Sequence, residues 1–321
     1  MSIESGFDAL QGEADATPEA VAEARRRRDV FRTSLPKEPD VDTVVPSGSL
    51  ARGTHKDPIH DVDLVCVFHA DEHPDWLKPG ASALDALTYT RTLVNGRLGS
   101  KGSDGNEVRR VDLKNHSVKC FLDDPGAPDA FTVDVVPAIV HPDGGFWIPE
   151  QFSKNWVRSD PMHMIAEADR RHSDWNQFKK LVRVLKRWNT DHGKHMKSLV
   201  IEVLALDLLV ETASRCQSLA KFFTAASDAV YYPIQDPAGL CGDIQPDLDQ
   251  DKASAAFADA AKLANQAIAA EARNETREAQ CLWNKVFGDI YPEPYLGCGP
   301  AANSTTATPV PQRRIVDAPQ G

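Results

Sequence analysis

The rhythm of apolar positions changes midway along this chain. In the first half they fall in short runs, Val41–Val45, Val62–Phe68, Val118–Leu122 and Phe131–Ile139, rich in β-branched side chains and separated by polar residues. Such runs predict strands. Two helices interrupt them. Thr17-Pro18-Glu19 offers a capping hydroxyl, a proline at the first helical position and an acid in the first turn, so a helix should run from there to about Ser34. Residues 80–98 read as the second, with Leu84, Leu87, Val94 and Leu98 on one side, followed by a polar loop over Gly99–Asn106. This strand-rich half should end near residue 150.

Beyond it the spacing is helical. Trp175–Asn189 carries Phe178, Val182, Leu185 and Trp188 at intervals of three and four. Further helices are predicted over Lys197–Thr212, Leu219–Val230, Lys252–Arg273 and Thr276–Phe287. Ala301–Gly321 is rich in threonine, alanine and proline with almost no periodicity, the composition of a disordered tail. The expected class is α+β. A core over 1–155 with a mixed sheet and an N-terminal helix should precede a helical domain over 156–300 and a tail over 301–321.

Composition narrows the function. The 321 residues are 41% hydrophobic, enough for a sizeable core, and carry 36 basic against 47 acidic side chains, a net charge of −11. That balance argues against strong general nucleic-acid binding, which requires phosphate neutralisation. The Arg25–Arg28 cluster reads as a solvated or internally paired face. Six cysteines show neither a Cys-x-x-Cys pair nor zinc spacing and read as reduced thiols. No secretory signal is evident. The most hydrophobic helix, Leu199–Val210, is too short to span a membrane and contains Glu202 and Asp207, so a cytoplasmic protein is expected.

The chemistry concentrates in residues 47–64. Gly48 and Ser49 form a turn suited to close approach of phosphate oxygens. Asp61 and Asp63 alternate along a predicted strand, where residues two apart share a face. Phosphates beside paired carboxylates imply a divalent cation between them. Asp134, in the apolar run Phe131–Ile139, supplies a third acid on another strand. This set resembles the Gly-Ser…Asp-x-Asp signature of polymerase-beta-like nucleotidyltransferases.

A narrower resemblance rests on the helical half. Leu181-Val-Arg-Val-Leu-Lys186-Arg-Trp188 and Lys197-Ser198-Leu-Val-Ile-Glu202, together with Gly48–Thr54 and Val133-Asp134-Val-Val-Pro-Ala138, look like the cGAS/DncV-like nucleotidyltransferases (CD-NTases), from about residue 20 to 290. The resemblance implies a polymerase-beta-like core followed by a helical domain. It implies that Gly48 and Ser49 grip a donor triphosphate, and that Asp61, Asp63 and Asp134 bind two magnesium ions, manganese being the alternative. Lys186 and Ser198, with Lys197 as a further candidate, would contact the triphosphate from the helical side. Leu199 stands where many relatives carry a base-stacking aromatic. Glu202 should pair internally, with Arg183 as the candidate partner, and His192 and His195 should be surface residues.

The implied activity is synthesis of a cyclic di- or trinucleotide from nucleoside triphosphates, with ATP the expected substrate, a second base left open, and release of pyrophosphate. The implied role is second-messenger generation in CBASS anti-phage defence, where a separate effector binds the product rather than this chain. The alternative is transfer of one nucleotide onto a tRNA, protein or small-molecule acceptor, and a rival of another class is a catalytically inactive nucleotide-binding module. The chain ends in Gly321, a candidate point of conjugation by an E1/E2-like partner.

Overall fold

The computed structural model describes residues 2–78 and 80–299. The tail and Gly321 lie outside them. Seven strands among these residues form one mixed sheet: β1 (Val41–Ser47), β2 (Asp61–Phe68), β3 (Arg110–Leu113), β4 (Val118–Phe121), β5 (Thr132–Val140), β6 (Phe146–Glu150) and β7 (Asn155–Ser159). The order is β1-β2-β5-β4-β3, and the β6–β7 hairpin pairs with the end of β5. Only β2 and β5 run parallel; the other pairs are antiparallel. The central strands are the long apolar runs. The periphery (β3, β6, β7) is short and half-exposed, which is why its periodicity gave no signal.

Ten α-helices complete the described structure: α1 (Ile3–Ala14), α2 (Pro18–Ser34), α3 (Gly48–Arg52), α4 (Ser82–Leu98), α5 (Pro161–Asp174), α6 (Phe178–Asp191), α7 (Ser198–Leu208), α8 (Arg215–Ala229), α9 (Gln250–Ala272) and α10 (Thr276–Phe287). The Thr17 hydroxyl caps α2 through the Ala20 amide. Asp160 caps α5 through the amides of Met162 and His163, a start signal that sequence reading passed over. On α4 the buried stripe is Ala83, Ala86, Leu87, Thr90, Val94 and Leu98, whereas Leu84 is exposed. The expected stripe was wrong at that position, because small residues rather than Leu84 fit against the sheet.

Two large apolar clusters result. One lies between the sheet, α2 and α4; the other unites α5–α10. The first helix belongs to the second cluster: Phe7 meets Trp283, Phe287 and Tyr291 edge-on, with ring centroids 5.0, 6.0 and 5.4 Å away. The chain's beginning therefore closes the core built by its end. Cys281 on α10 and Cys298 approach to a Cα–Cα distance of 5.4 Å and form a disulfide, correcting the expectation of thiols throughout. Cys66, Cys120, Cys216 and Cys241 are free. No helix among the described residues is long and apolar enough to cross a membrane.

Candidate active site

The Gly-Ser turn begins a short helix. At Gly48, the first residue of α3, φ is +69°, and a Cβ built there would lie 1.8 Å from Asp63 Oδ2. The glycine is thus demanded by backbone conformation and by the neighbouring carboxylate; the space predicted for a ligand belongs to Asp63. Gly53, also left-handed at φ +68°, ends the helix. Ser49 is half-buried on the cleft wall.

Strand pairing sets the carboxylates. In the parallel β2–β5 register Asp63 stands opposite Asp134, and Asp61 opposite Thr132. Across the antiparallel β4–β5 pair Asp134 faces Lys119, whose ammonium lies 3.1 Å from Asp134 Oδ2. Ser117 Oγ donates to Asp134 Oδ1 at 3.3 Å. Burial pushes the Asp63 carboxyl up to about 7, reinforced by the charges of Asp61 and Asp134 and only partly relieved by Arg52 and Lys119. Burial also raises Asp134, with Lys119 opposing. Among the described residues no histidine, cysteine, aspartate or glutamate side chains already form a closed ligand set. The aspartates nevertheless fit a hard divalent cation in chemistry: clustered oxygen donors, mutually repelling and short of positive charge.

Asp61 and Asp63 border a cleft of about 680 Å³ between the sheet and the helical half, with Asp134 beside Asp63 on β5. Asp61, Asp63 and Lys119 line one side; Ser198 and Leu199, at the start of α7, line the other. Lys197 holds the N-cap position of α7. Its ammonium donates to the Ile244 carbonyl at 3.4 Å and its amide to Gln245 Oε1 at 2.8 Å. It does not join the cleft lining, because the helix start directs Ser198 there instead.

Lys186 reaches the cleft floor but is already engaged. Only 3% exposed, its ammonium donates to Glu202 Oε1 at 2.8 Å and to the Thr54 carbonyl at 2.9 Å. Glu202 also accepts from Arg52 Nε at 2.8 Å and from the Thr54 hydroxyl at 2.6 Å. Burial alone would raise the Glu202 carboxyl, but the charges of Lys186 and Arg52 outweigh it and hold the group near 2. Arg183, the expected partner, instead binds Asp15 at 2.5 Å and the Gly53 carbonyl at 2.9 Å. The correction is geometric: α3 brings Arg52 beside α7, whereas Arg183 lies on the α1 side of α6. His192 is held by its Nδ1 at the Trp188 carbonyl, 2.8 Å away.

Sequence reading missed Arg52, His55, Lys56, Lys119 and Lys194, all of which line the cleft. Lys119 is the only cation in the predicted strand Val118–Leu122, but nothing local sets that strand beside the strand of Asp134. The others sit in loops or a short helix whose placement no periodicity reveals.

A sheet that sets Asp63 beside Asp134, followed by a helical half, is consistent with the polymerase-beta-like nucleotidyltransferase fold. Comparison with known proteins narrows this. No family model matches the chain. It is 26% identical to a probable cyclic nucleotide synthase of Bacillus cereus over 88% of this chain and 95% of that protein. It is likewise 26% identical to a cyclic AMP-AMP-AMP synthase of an Acinetobacter species, over 72% of this chain and 65% of that one. The solved structure of E. coli MS115-1 CdnC with ATP superposes with a TM-score of 0.70 at 19% identity, over 91% of this chain and 99% of the other. The chain is similar in sequence to cyclic nucleotide synthases and shares the fold of the cGAS/DncV-like nucleotidyltransferases.

Proposed function

We propose that this protein is a magnesium-dependent, cytoplasmic synthase that joins nucleoside triphosphates, ATP among them, into a cyclic di- or trinucleotide and releases pyrophosphate, as a signal generator in anti-phage defence. The observation that carries this reading is that Asp61 and Asp63 line a cleft large enough for nucleotides and that Asp63 is the register partner of Asp134. Two divalent cations held by Asp61, Asp63 and Asp134 would neutralise triphosphate charge and favour ionisation of the attacking ribose hydroxyl.

The protein's own groups then position the reactants. Ser49 and Ser198 present hydroxyls from opposite walls, so a triphosphate between them is oriented by core and helical half together. Leu199, 36% exposed, offers an apolar rather than an aromatic surface to a base. Lys119 pairs with Asp134 and opposes the rise that burial gives its carboxyl. Arg52, neutralised by Glu202, holds α3 against α7 and so sets the width of the cleft.

Incubation with the four labelled nucleoside triphosphates and magnesium, followed by phosphatase, tests the reading. Phosphatase-resistant cyclic product is expected. Release of all label, or its transfer to an added acceptor, would overturn it.

A further inference from the structure

The residue that sequence reading assigned to the triphosphate, Lys186, is locked into a buried ion pair at 2.8 Å. A buried, paired ammonium has little charge left for a ligand, and drawing it away would strand Glu202 in the interior. Some other cation must therefore meet the distal phosphates. Two lysines in the same cleft have no such engagement. Lys56 follows α3 on the core side, and Lys194 lies in the turn between α6 and α7 on the helical side. Neither ammonium has a hydrogen bond or ion pair with another described residue.

We infer that Lys56 and Lys194 form a two-sided seat for the polyphosphate of the nucleoside triphosphate, one jaw on each half of the molecule. The inference rests on the function proposed above and assigns the residues that recognise its donor.

Three observations support it. First, the surroundings are cationic. Half-buried Lys56 is held below the usual lysine range by burial, then by the charges of Arg187 and Lys186, with Lys194 adding to them and Asp191 opposing. Asp191 is itself bound to Arg187 at 2.8 Å, so it compensates little. An assembly short of negative charge is complementary to a polyanion.

Second, Lys194 is presented on a fixed turn rather than a loose loop. Its backbone is left-handed at φ +49° after Gly193 at +92°, a conformation that costs a lysine energy and must be held by its surroundings. Asn189, 2% exposed, does so. Its carbonyl accepts from the Lys194 amide at 2.7 Å, and its side-chain amide donates to the Met196 carbonyl at 2.8 Å.

Third, the seat shares its cleft with the two hydroxyls. Ser49 and Lys56 stand on the core side, Ser198 and Lys194 on the helical side. Each half thus contributes one hydroxyl and one ammonium, an ammonium acting on phosphate as a point charge. Beside Lys56, the His55 Nδ1 is buried without a partner.

The test is calorimetric titration of the full chain with ATP, AMP and inorganic tripolyphosphate, for the wild type and for Lys56→Gln, Lys194→Gln and their arginine counterparts. Each glutamine variant should weaken ATP and tripolyphosphate at least tenfold while AMP changes less than twofold, and the arginine variants should restore most of the loss. Thermal melts establish that each variant is folded. Should Lys56→Gln fail to fold, exposed Lys194 decides the matter alone. Unchanged ATP affinity in folded glutamine variants, or equal weakening of ATP and AMP, would overturn the seat. The two readings fail separately. Cyclic product from a wild type whose lysine variants bind ATP normally refutes the seat alone. Lysine-dependent tripolyphosphate binding without cyclic product refutes the synthase and leaves the seat standing.

Discussion

Two carboxylate sites border the same cleft and are opposite in electrostatics. Glu202, buried on α7, accepts hydrogen bonds from Arg52, Thr54 and Lys186, and its carboxyl is held near 2. Asp63, on β2, has two further aspartates as its neighbours and is pushed up to about 7. Burial raises both carboxyls and so does not by itself set their opposite shifts; the company each keeps does. The first site is complete and serves architecture, tying core and helical half together. The second has less positive charge than would balance its three aspartates, which is what the proposed cations would supply. The contrast distinguishes two acids in one cleft by their partners, and it is the basis for grouping Lys186 with architecture and for proposing the unpaired lysines as the ligand's.

The largest expected effect is on synthesis. Asp61→Ala, Asp63→Ala and Asp134→Ala should each lower product formation to below about a thousandth of wild type, with melting temperature unchanged or raised. Near-normal turnover in any of them, measured by product chromatography, would break the distinction from the aspartate side. Glu202→Ala should do the reverse. It strands Arg52 and Lys186 in the interior and should destabilise the fold by about 3–5 kcal/mol, seen as an earlier midpoint in urea. A variant as stable as wild type would show that Glu202 is no keystone.

Acidity sharpens the contrast, because the two groups respond with opposite signs. The Asp63 carboxyl is raised on folding, so its contribution to stability is fully present below about pH 4 and is lost as pH rises through about 7. The Glu202 carboxyl is depressed, so its contribution is present above about pH 4.5 and is lost as pH falls toward 2. Without divalent cations, the unfolding free energy from urea titration should fall by about 2 kcal/mol between pH 5 and 8. Asp63→Asn should flatten that slope, and an unaltered slope would remove Asp63 as its source. The smallest effect concerns Lys119, whose ammonium occupies Asp134 at 3.1 Å. Lys119→Met should tighten binding of manganese to the nucleotide-free protein by about threefold, a fraction of a kcal/mol in keeping with a half-exposed pair. Electron paramagnetic resonance titration reads this directly, and weaker binding would make Lys119 a support for the cation rather than its competitor.

Much of the fold was legible because its signals are local. The apolar runs of β1, β2 and β5 fix strands by length and β-branching, and the period of Phe178, Val182, Leu185 and Trp188 fixes α6. Ile3, Phe7, Leu10 and Ala14 carry the same helical period, so α1 could have been read and was overlooked. The short strands β3, β6 and β7 could not, since they are four or five residues long and mostly half-buried, with no consistently apolar face to set a period. In the candidate site, the shared face of Asp61 and Asp63 follows from alternation along one strand. Their register against Asp134 and Lys119 does not, for it depends on which strands become neighbours.

The sequence by itself determined the strand-to-helix order of the chain, the Gly-Ser turn and the placing of two aspartates on one side of a strand, because each follows from backbone geometry within a few residues. Tertiary structure decided where the charges went. Arg52 found Glu202 across 150 positions, Arg183 found Asp15 across 168, and Lys186 was thereby spent on the interior while Lys56 and Lys194 were left facing the cleft. Ion pairing acts over a few ångströms once water is excluded, and which charges come that close is set by the packing of helices on the sheet, not by their separation along the chain.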